Sequence, residues 1–121
     1  MKTYYGRRSP DGAADVWIVD DPLAVFGEKG LNDAAARNLN PRLDLRNHSP
    51  TGFEWGYGGS GPSQLALALL ADALGQDETA QQLYQQFKWA VVCKLGASWT
   101  LSAGRIREVV ETLKRGEETA P

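Results

Sequence analysis

The sequence predicts an α+β fold in which a small antiparallel sheet, an N-terminal hairpin plus a third strand, packs on three helices. Three observations carry that reading. Two aromatic and β-branched runs flank a turn near the start, a later run alternates apolar with charged residues, and the second half repeats apolar residues at helical spacing.

Tyr4-Tyr5-Gly6-Arg7-Arg8 and Ala14 to Val19 read as the two strands of a hairpin, separated by Ser9-Pro10-Asp11-Gly12. In the second strand Val16 and Ile18 share one face and Asp15, Trp17 and Val19 the other, so apolar surface falls on both. Asp20-Asp21-Pro22 ends it. Asn32 is positioned to cap a short alanine-rich helix through Leu39, and Arg42-Leu43-Asp44-Leu45-Arg46 alternates as a third strand with its charges outward. Asp44 reads there as part of a solvated face. Pro62 suits a first helical position and Gly75 the residue past the end, and the leucines and alanines between leave almost no polar face, as in a central helix. Asp77 is expected to cap a second helix whose apolar stripe runs from Ala80 to Leu95, with Gln81, Gln82, Gln85 and Lys88 in water. Ser102 is expected to cap a third, buried through Ile106, Val109, Val110 and Leu113 and ended by Gly116. The whole chain, 1–121, is read as a single domain: 1–46 mainly strands, 47–63 a loop, 62–116 three helices.

With 121 residues, 42% hydrophobic, one modest core is what the chain can bury. Thirteen basic and fifteen acidic residues give a net charge of −2, which argues against nucleic acid and anionic membrane as partners. The lone Cys93, set among Val91, Val92 and Leu95, forms no intramolecular disulfide and reads as a small buried hydrophobe. No apolar run has the roughly 18 residues of a membrane span, and Met1-Lys2-Thr3 leads into no signal-peptide core, so the expected location is the cytoplasm.

Asn47 to Ser63 holds five of the thirteen glycines, the only histidine and three aromatics. Glycines let backbone approach a partner, and a helix start attracts an anion through its free N–H groups and its dipole. Ser60 and Ser63 add hydroxyls, while Phe53, Trp55 and Tyr57 alternate so that extended backbone presents all three rings to one side. Asn47, His48, Phe53, Trp55, Tyr57, Gly58, Gly59, Ser60, Gly61 and Ser63, with Arg7 and Arg46 from the strands, are the candidate ligand-binding residues. Arg8 and Arg42 are further cations on those strands. The competing reading is structural: a tight turn packed on the central helix, with Trp55 or Phe53 in the core.

Specific motifs fail. Gly56 and Gly61 have phosphate-loop spacing, but Pro62 stands where lysine is needed; Gly56, Gly58 and Gly61 fit G-x-G-x-x-G without a βαβ repeat; and G-x-S-x-G breaks at Pro62. Histidine is the side chain suited to proton transfer near neutral pH, and Glu54 lies six residues after His48, so an acid/base pair is conceivable, yet no nucleophile or second histidine is marked. A histidine bonded to loop backbone is the favoured reading. No metal site and no cofactor are expected.

Leu43 to Leu70, LDLRNHSPTGFEWGYGGSGPSQLALALL, resembles a small domain family of unknown function found in phage, bacterial and archaeal genomes, and the resemblance extends to the opening at Tyr5 to Arg8 and to Phe87-Lys88-Trp89. It implies no activity. Phage occurrence implies, by analogy only, a role against host defence. The leading expectation is a non-enzymatic protein that sequesters a phosphate-containing, nucleotide-like small molecule, such as an immune signal, with homo-oligomerisation helping to close the pocket. The alternative is a protein-interaction module anchoring a host protein through Phe53, Trp55, Tyr57 and Trp89, favoured if the aromatics form a flat exposed patch. The third is a hydrolase acting on a nucleotide through His48 and Glu54.

Overall fold

The computed structural model describes residues 2–20 and 36–116. A four-stranded antiparallel sheet, ordered β3-β2-β1-β4, is built from β1 (Thr3–Arg8), β2 (Ala14–Val19), β3 (Ala36–Asn38) and β4 (Ser98–Ser102). The α+β expectation holds, with three helices among the described residues: α1 (Ser60–Leu74), α2 (Asp77–Ala90) and α3 (Ala103–Lys114). The hairpin forms as expected, its turn closed by Gly12 N–H to the Ser9 carbonyl at 2.9 Å.

Two of the expected elements are different structures. Arg42 to Arg46 is a turn, because the Arg42 amide bonds Asn40 Oδ1 at 2.8 Å, its φ is 57°, and its carbonyl accepts from Leu45 N–H at 3.0 Å. Its alternation has no sheet to serve, and Leu43 is exposed. The third strand is instead Ala36–Asn38, where a helix was expected through Leu39; pairing with Trp17, Ile18 and Val19 supplies the backbone bonds a helix would have. The proposed cap Asn32 lies outside the described residues. The fourth strand was missed, although Trp99 and Leu101 alternate with Ser98, Thr100 and Ser102.

The register gives the sheet two distinct faces. Tyr4, Val16, Ile18 and Trp99 turn to the helices and are buried there, with half-buried Leu101 packed against them. Across this core lies α1, buried along nearly its whole length and stopped by Gly75 at φ 66°, a left-handed position that suits glycine. Its helix starts two residues before Pro62, which still falls in the first turn, where a missing N–H costs nothing. Near its C-terminal end the half-buried Asp72 accepts hydrogen bonds from the Tyr4 hydroxyl and from Lys2 Nζ at 3.2 Å. Burial, and then that carboxylate, hold the Tyr4 phenol far above its ordinary range.

Helix α2 stops at Ala90, short of the expected Leu95, and a single 3-10 turn (Val92–Lys94) follows, whose Val92 carbonyl accepts from Leu95 N–H at 3.3 Å and from Gly56 N–H at 3.0 Å. Lys88, expected in water, is buried with its ammonium 4.5 Å from the Trp89 ring centre. Cys93 is only partly buried, its thiol on the Trp89 carbonyl. Ser102 caps α3 as expected, accepting from Arg105 N–H at 3.0 Å.

Asp77 is no cap: Gln76 flanks the helix without a side-chain capping bond, and the Asp77 carboxylate meets the Arg42 fork at 2.8 and 3.0 Å. The same guanidinium also holds Asp44 in two bonds, at 3.0 and 3.1 Å. Hydrogen bonding to Arg42 is the main reason both carboxyls lie below the usual range. A carboxyl depressed in the folded state contributes stability above its unfolded value of about 3.9, and that contribution is lost as pH falls through the lower folded value. Arg42→Met is therefore expected to raise the acid-unfolding midpoint at low ionic strength and leave the alkaline limb unchanged. Circular dichroism during acid titration tests this, and coincident acid limbs would refute the clamp.

Candidate functional site

The glycine and aromatic loop is fixed at its base by one side chain. Gln64, fully buried in the second turn of α1, accepts from His48 N–H (2.7 Å) and Ser49 N–H (3.1 Å) through Oε1 and donates through Nε2 to the carbonyls of Pro41 (2.6 Å) and Arg46 (3.0 Å). All four hydrogen-bonding positions of the amide are used, so 41–49 is stapled to the helix. His48 Nε2 lies 2.7 Å from the Tyr84 hydroxyl on α2, the two rings tilted at 5.5 Å.

The middle of the loop is filled by Trp55, 1% exposed. Its indole N–H reaches the Gly96 carbonyl at 2.7 Å and its ring meets Trp99 edge-on at 5.5 Å. Arg8, on the helix-facing side of β1, lays its guanidinium 4.8 Å from the Trp55 ring centre and pairs with Glu54. Trp99 Nε1 is buried without a hydrogen-bond partner among the described residues. The aromatic alternation therefore does not put three rings on one side: Phe53 is half-buried against the core, Trp55 is inside, and Tyr57 is 52% exposed.

Three of the glycines are closely packed, Gly61 against the Glu54 backbone and Gly58 and Gly59 beneath exposed rings. A Cβ on Gly58 would stand 2.2 Å from the Trp89 ring, and one on Gly61 would stand 2.6 Å from Glu54 Cβ. A Cβ on Gly59 would come within 2.7 Å of the Tyr57 ring. Gly58 and Gly59 thus carry the rings of Trp89, 57% exposed, and Tyr57, and the four residues form a surface ridge.

The expected site residues fall into three groups. Tyr57, Gly58, Gly59 and Ser60 come together at the surface around the start of α1, where Gly59 flanks the helix without a side-chain cap. Trp55, Gly61 and Ser63 are interior, and His48 is tied to Gln64 and Tyr84. Asn47 and Arg46 are exposed at the loop base, while Arg7 is on the opposite face of the sheet from Arg8 and so is not part of the loop site. No hydrogen bond joins His48 to Glu54 among the described residues; the one engages Tyr84, the other Arg8. Among the described residues no cluster of three or more His, Cys, Asp or Glu is arranged to hold a metal ion. No helix among them is long and apolar enough to cross a membrane. Gln64, Tyr84, Trp99 and Arg8 are the organising residues that sequence reasoning missed in this role. For Gln64 a signal was present, since it is the one amide in the apolar run from Pro62 to Leu70.

Fold and loop together define a small layered α+β domain whose surface ridge is braced from inside by a buried glutamine and a tryptophan pair. The chain belongs to the family described as Family of unknown function (DUF6166), whose model matches residues 24–112. That match takes in the loop and Phe87-Lys88-Trp89 but begins after the opening at Tyr5 to Arg8. No curated protein and no solved structure matches the chain.

Proposed function

We propose that this protein is a non-catalytic recognition module that binds another protein through the ridge formed by Tyr57, Gly58, Gly59 and Trp89. The observation that carries this reading is the exposure of two large aromatics, 52% and 57%, whose rings lie against backbone that bears no side chains. Aromatic anchors of this kind dominate protein interfaces because they bury much area while losing little rotamer entropy. The ridge is preorganised: the Gly56 and Trp55 anchors fix it to the 3-10 turn and Gly96 before any partner arrives. Action on a host defence component is the biological role we attach to it, by analogy with small phage proteins.

Trp89→Ala is expected to weaken binding of a purified partner by about 30-fold or more, the loss typical of an interface hot spot, while the melting temperature stays within a few degrees. Surface plasmon resonance with the partner identified by crosslinking provides the measurement. Equal affinity for wild type, Trp89→Ala and Tyr57→Ala would remove the proposal.

Sequestration of a nucleotide-like ligand at the loop is the second reading. In its favour are the exposed Ser60 hydroxyl and the first-turn amides of α1, which a helix leaves without internal partners, beside the Tyr57 ring. Native mass spectrometry after incubation with nucleotides separates the two readings, since a retained ligand mass that disappears on Ser60→Arg supports only the second.

A further inference from the structure

The sheet face turned away from α1, α2 and α3 carries a second constellation, independent of the loop. Strand register places Asn38, Trp17, Tyr5 and Thr100 in one row across all four strands, and Asp15, Arg7 and Ser98 in the next. Tyr5 and Trp17 stack with ring centres 5.9 Å apart and planes 14° from parallel, and the Arg7 guanidinium lies 5.9 Å from the Trp17 ring centre. An open cleft of about 420 Å³ runs beside them, lined by Tyr5, Arg7, Trp17, Ser98 and Thr100 with Gly6 and Trp99 of the strand backbone positions between. That volume lies within the roughly 300 to 1,000 Å³ typical of small-ligand sites.

Among the described residues, three polar ends around this cleft have no hydrogen-bond or ion-pair partner. Arg7 makes neither an ion pair nor a hydrogen bond among the described residues, although Asp15 stands opposite it in the register, and the hydroxyls of Ser98 and Thr100 are equally unused. An aromatic wall, an unpaired guanidinium and two free hydroxyls converging on one cleft are the complement of a flat heteroaromatic ring that carries an anionic group. We infer that this face binds a free mononucleotide, with its base stacked on the Tyr5 and Trp17 side, its base-edge groups on Ser98 and Thr100, and its phosphate on Arg7. A nucleic-acid strand fits less well. Arg7 is the only cation in the two rows, Asp15 adjoins it, and the net charge of −2 opposes a chain of phosphates.

The test is isothermal titration of the full chain with the four common nucleoside monophosphates, with inorganic phosphate, and with a short single-stranded oligonucleotide. At least one monophosphate is expected to bind, and inorganic phosphate at least tenfold more weakly. Tyr5→Leu is expected to reduce affinity by 5-fold or more, the low end of what base stacking on an aromatic ring sustains, and Arg7→Gln by about tenfold. Thr100→Phe keeps both rings and the guanidinium but fills the cleft, and it is expected to abolish binding with an unchanged melting temperature. Trp89→Ala is expected to leave nucleotide affinity untouched, so failure here and failure of the ridge proposal are read separately. Absence of heat with every monophosphate, or affinity indifferent to Tyr5→Leu and Thr100→Phe, would overturn the inference. So would an oligonucleotide that binds far more tightly than any monophosphate and loses affinity steeply with salt, which would reassign the face to single strands.

Discussion

Gln64→Leu is expected to be among the most destabilising single substitutions in this protein, by about 3 kcal/mol, because it strands four part-buried backbone groups at once. Leucine matches the buried volume and the helical propensity of the site, so packing and α1 itself are largely spared. What disappears is the acceptor for His48 and Ser49 N–H and the donor to the Pro41 and Arg46 carbonyls. Leaving one such group buried and unpaired costs about 1–3 kcal/mol, and water reaching part of the loop offsets only some of the total. Against a domain stability of about 5–15 kcal/mol this is a large fraction, and a fall in melting temperature of roughly 10 °C or more is the expected readout by calorimetry. Gln64→Glu retains the acceptor and loses the donors, so it separates the two halves of the staple. A Gln64→Leu protein melting within about 3 °C of wild type would show that the loop does not depend on this amide.

Trp55→Ala is expected to cost about 3–5 kcal/mol, the range for removing a large aromatic from a core. Its indole is 1% exposed, bonds Gly96, meets Trp99 edge-on and supports the Arg8 guanidinium, so truncation opens a cavity and frees a cation and a carbonyl together. Trp55→Phe keeps most of the volume and is expected to cost markedly less, the remainder reporting the lost N–H to Gly96. Urea unfolding measures both. Equal midpoints for Trp55→Ala and wild type would contradict the interior placement. Because the ridge hangs from this residue, Trp55→Ala is also expected to disorder Tyr57 and weaken partner binding without touching an interface contact.

How far the fold was legible depended on whether its cues were local. The hairpin declared itself through Pro10, Gly12 and paired aromatic runs, and α1 and α3 through Gly75, Ser102 and apolar spacing, all of which act within a few residues. Arg42 to Arg46 misled because alternation is compatible with a turn when a left-handed residue and a two-carboxylate clamp dictate the backbone; neither is visible in the pattern. Ala36–Asn38 is a strand only by virtue of its neighbour β2, a long-range cause that propensity does not carry. The loop was recognised as unusual and read either as a ligand approach or as a tight turn packed on the central helix, but that Gly58 faces Trp89 and Gly61 faces Glu54 was not legible. Spacing along a chain does not reveal which distant ring a glycine must admit. The row of Trp17 and Tyr5 was likewise hidden, since it exists only once strands are placed in register.

The position of β1 between β2 and β4 also bears on how the chain is made. The hairpin partner is available almost at once, whereas pairing Thr3–Arg8 with Ser98–Ser102 closes a loop of roughly 90 residues. At a synthesis rate of about 5–20 residues per second, the second edge of β1 waits several seconds for its partner to be translated. Throughout that interval an edge carrying Tyr4 and Tyr5 offers unpaired backbone to any neighbouring nascent chain. The adjacent arginines at 7 and 8 supply like charge along that edge, so they guard the growing polypeptide against self-association before either has a role in the finished domain.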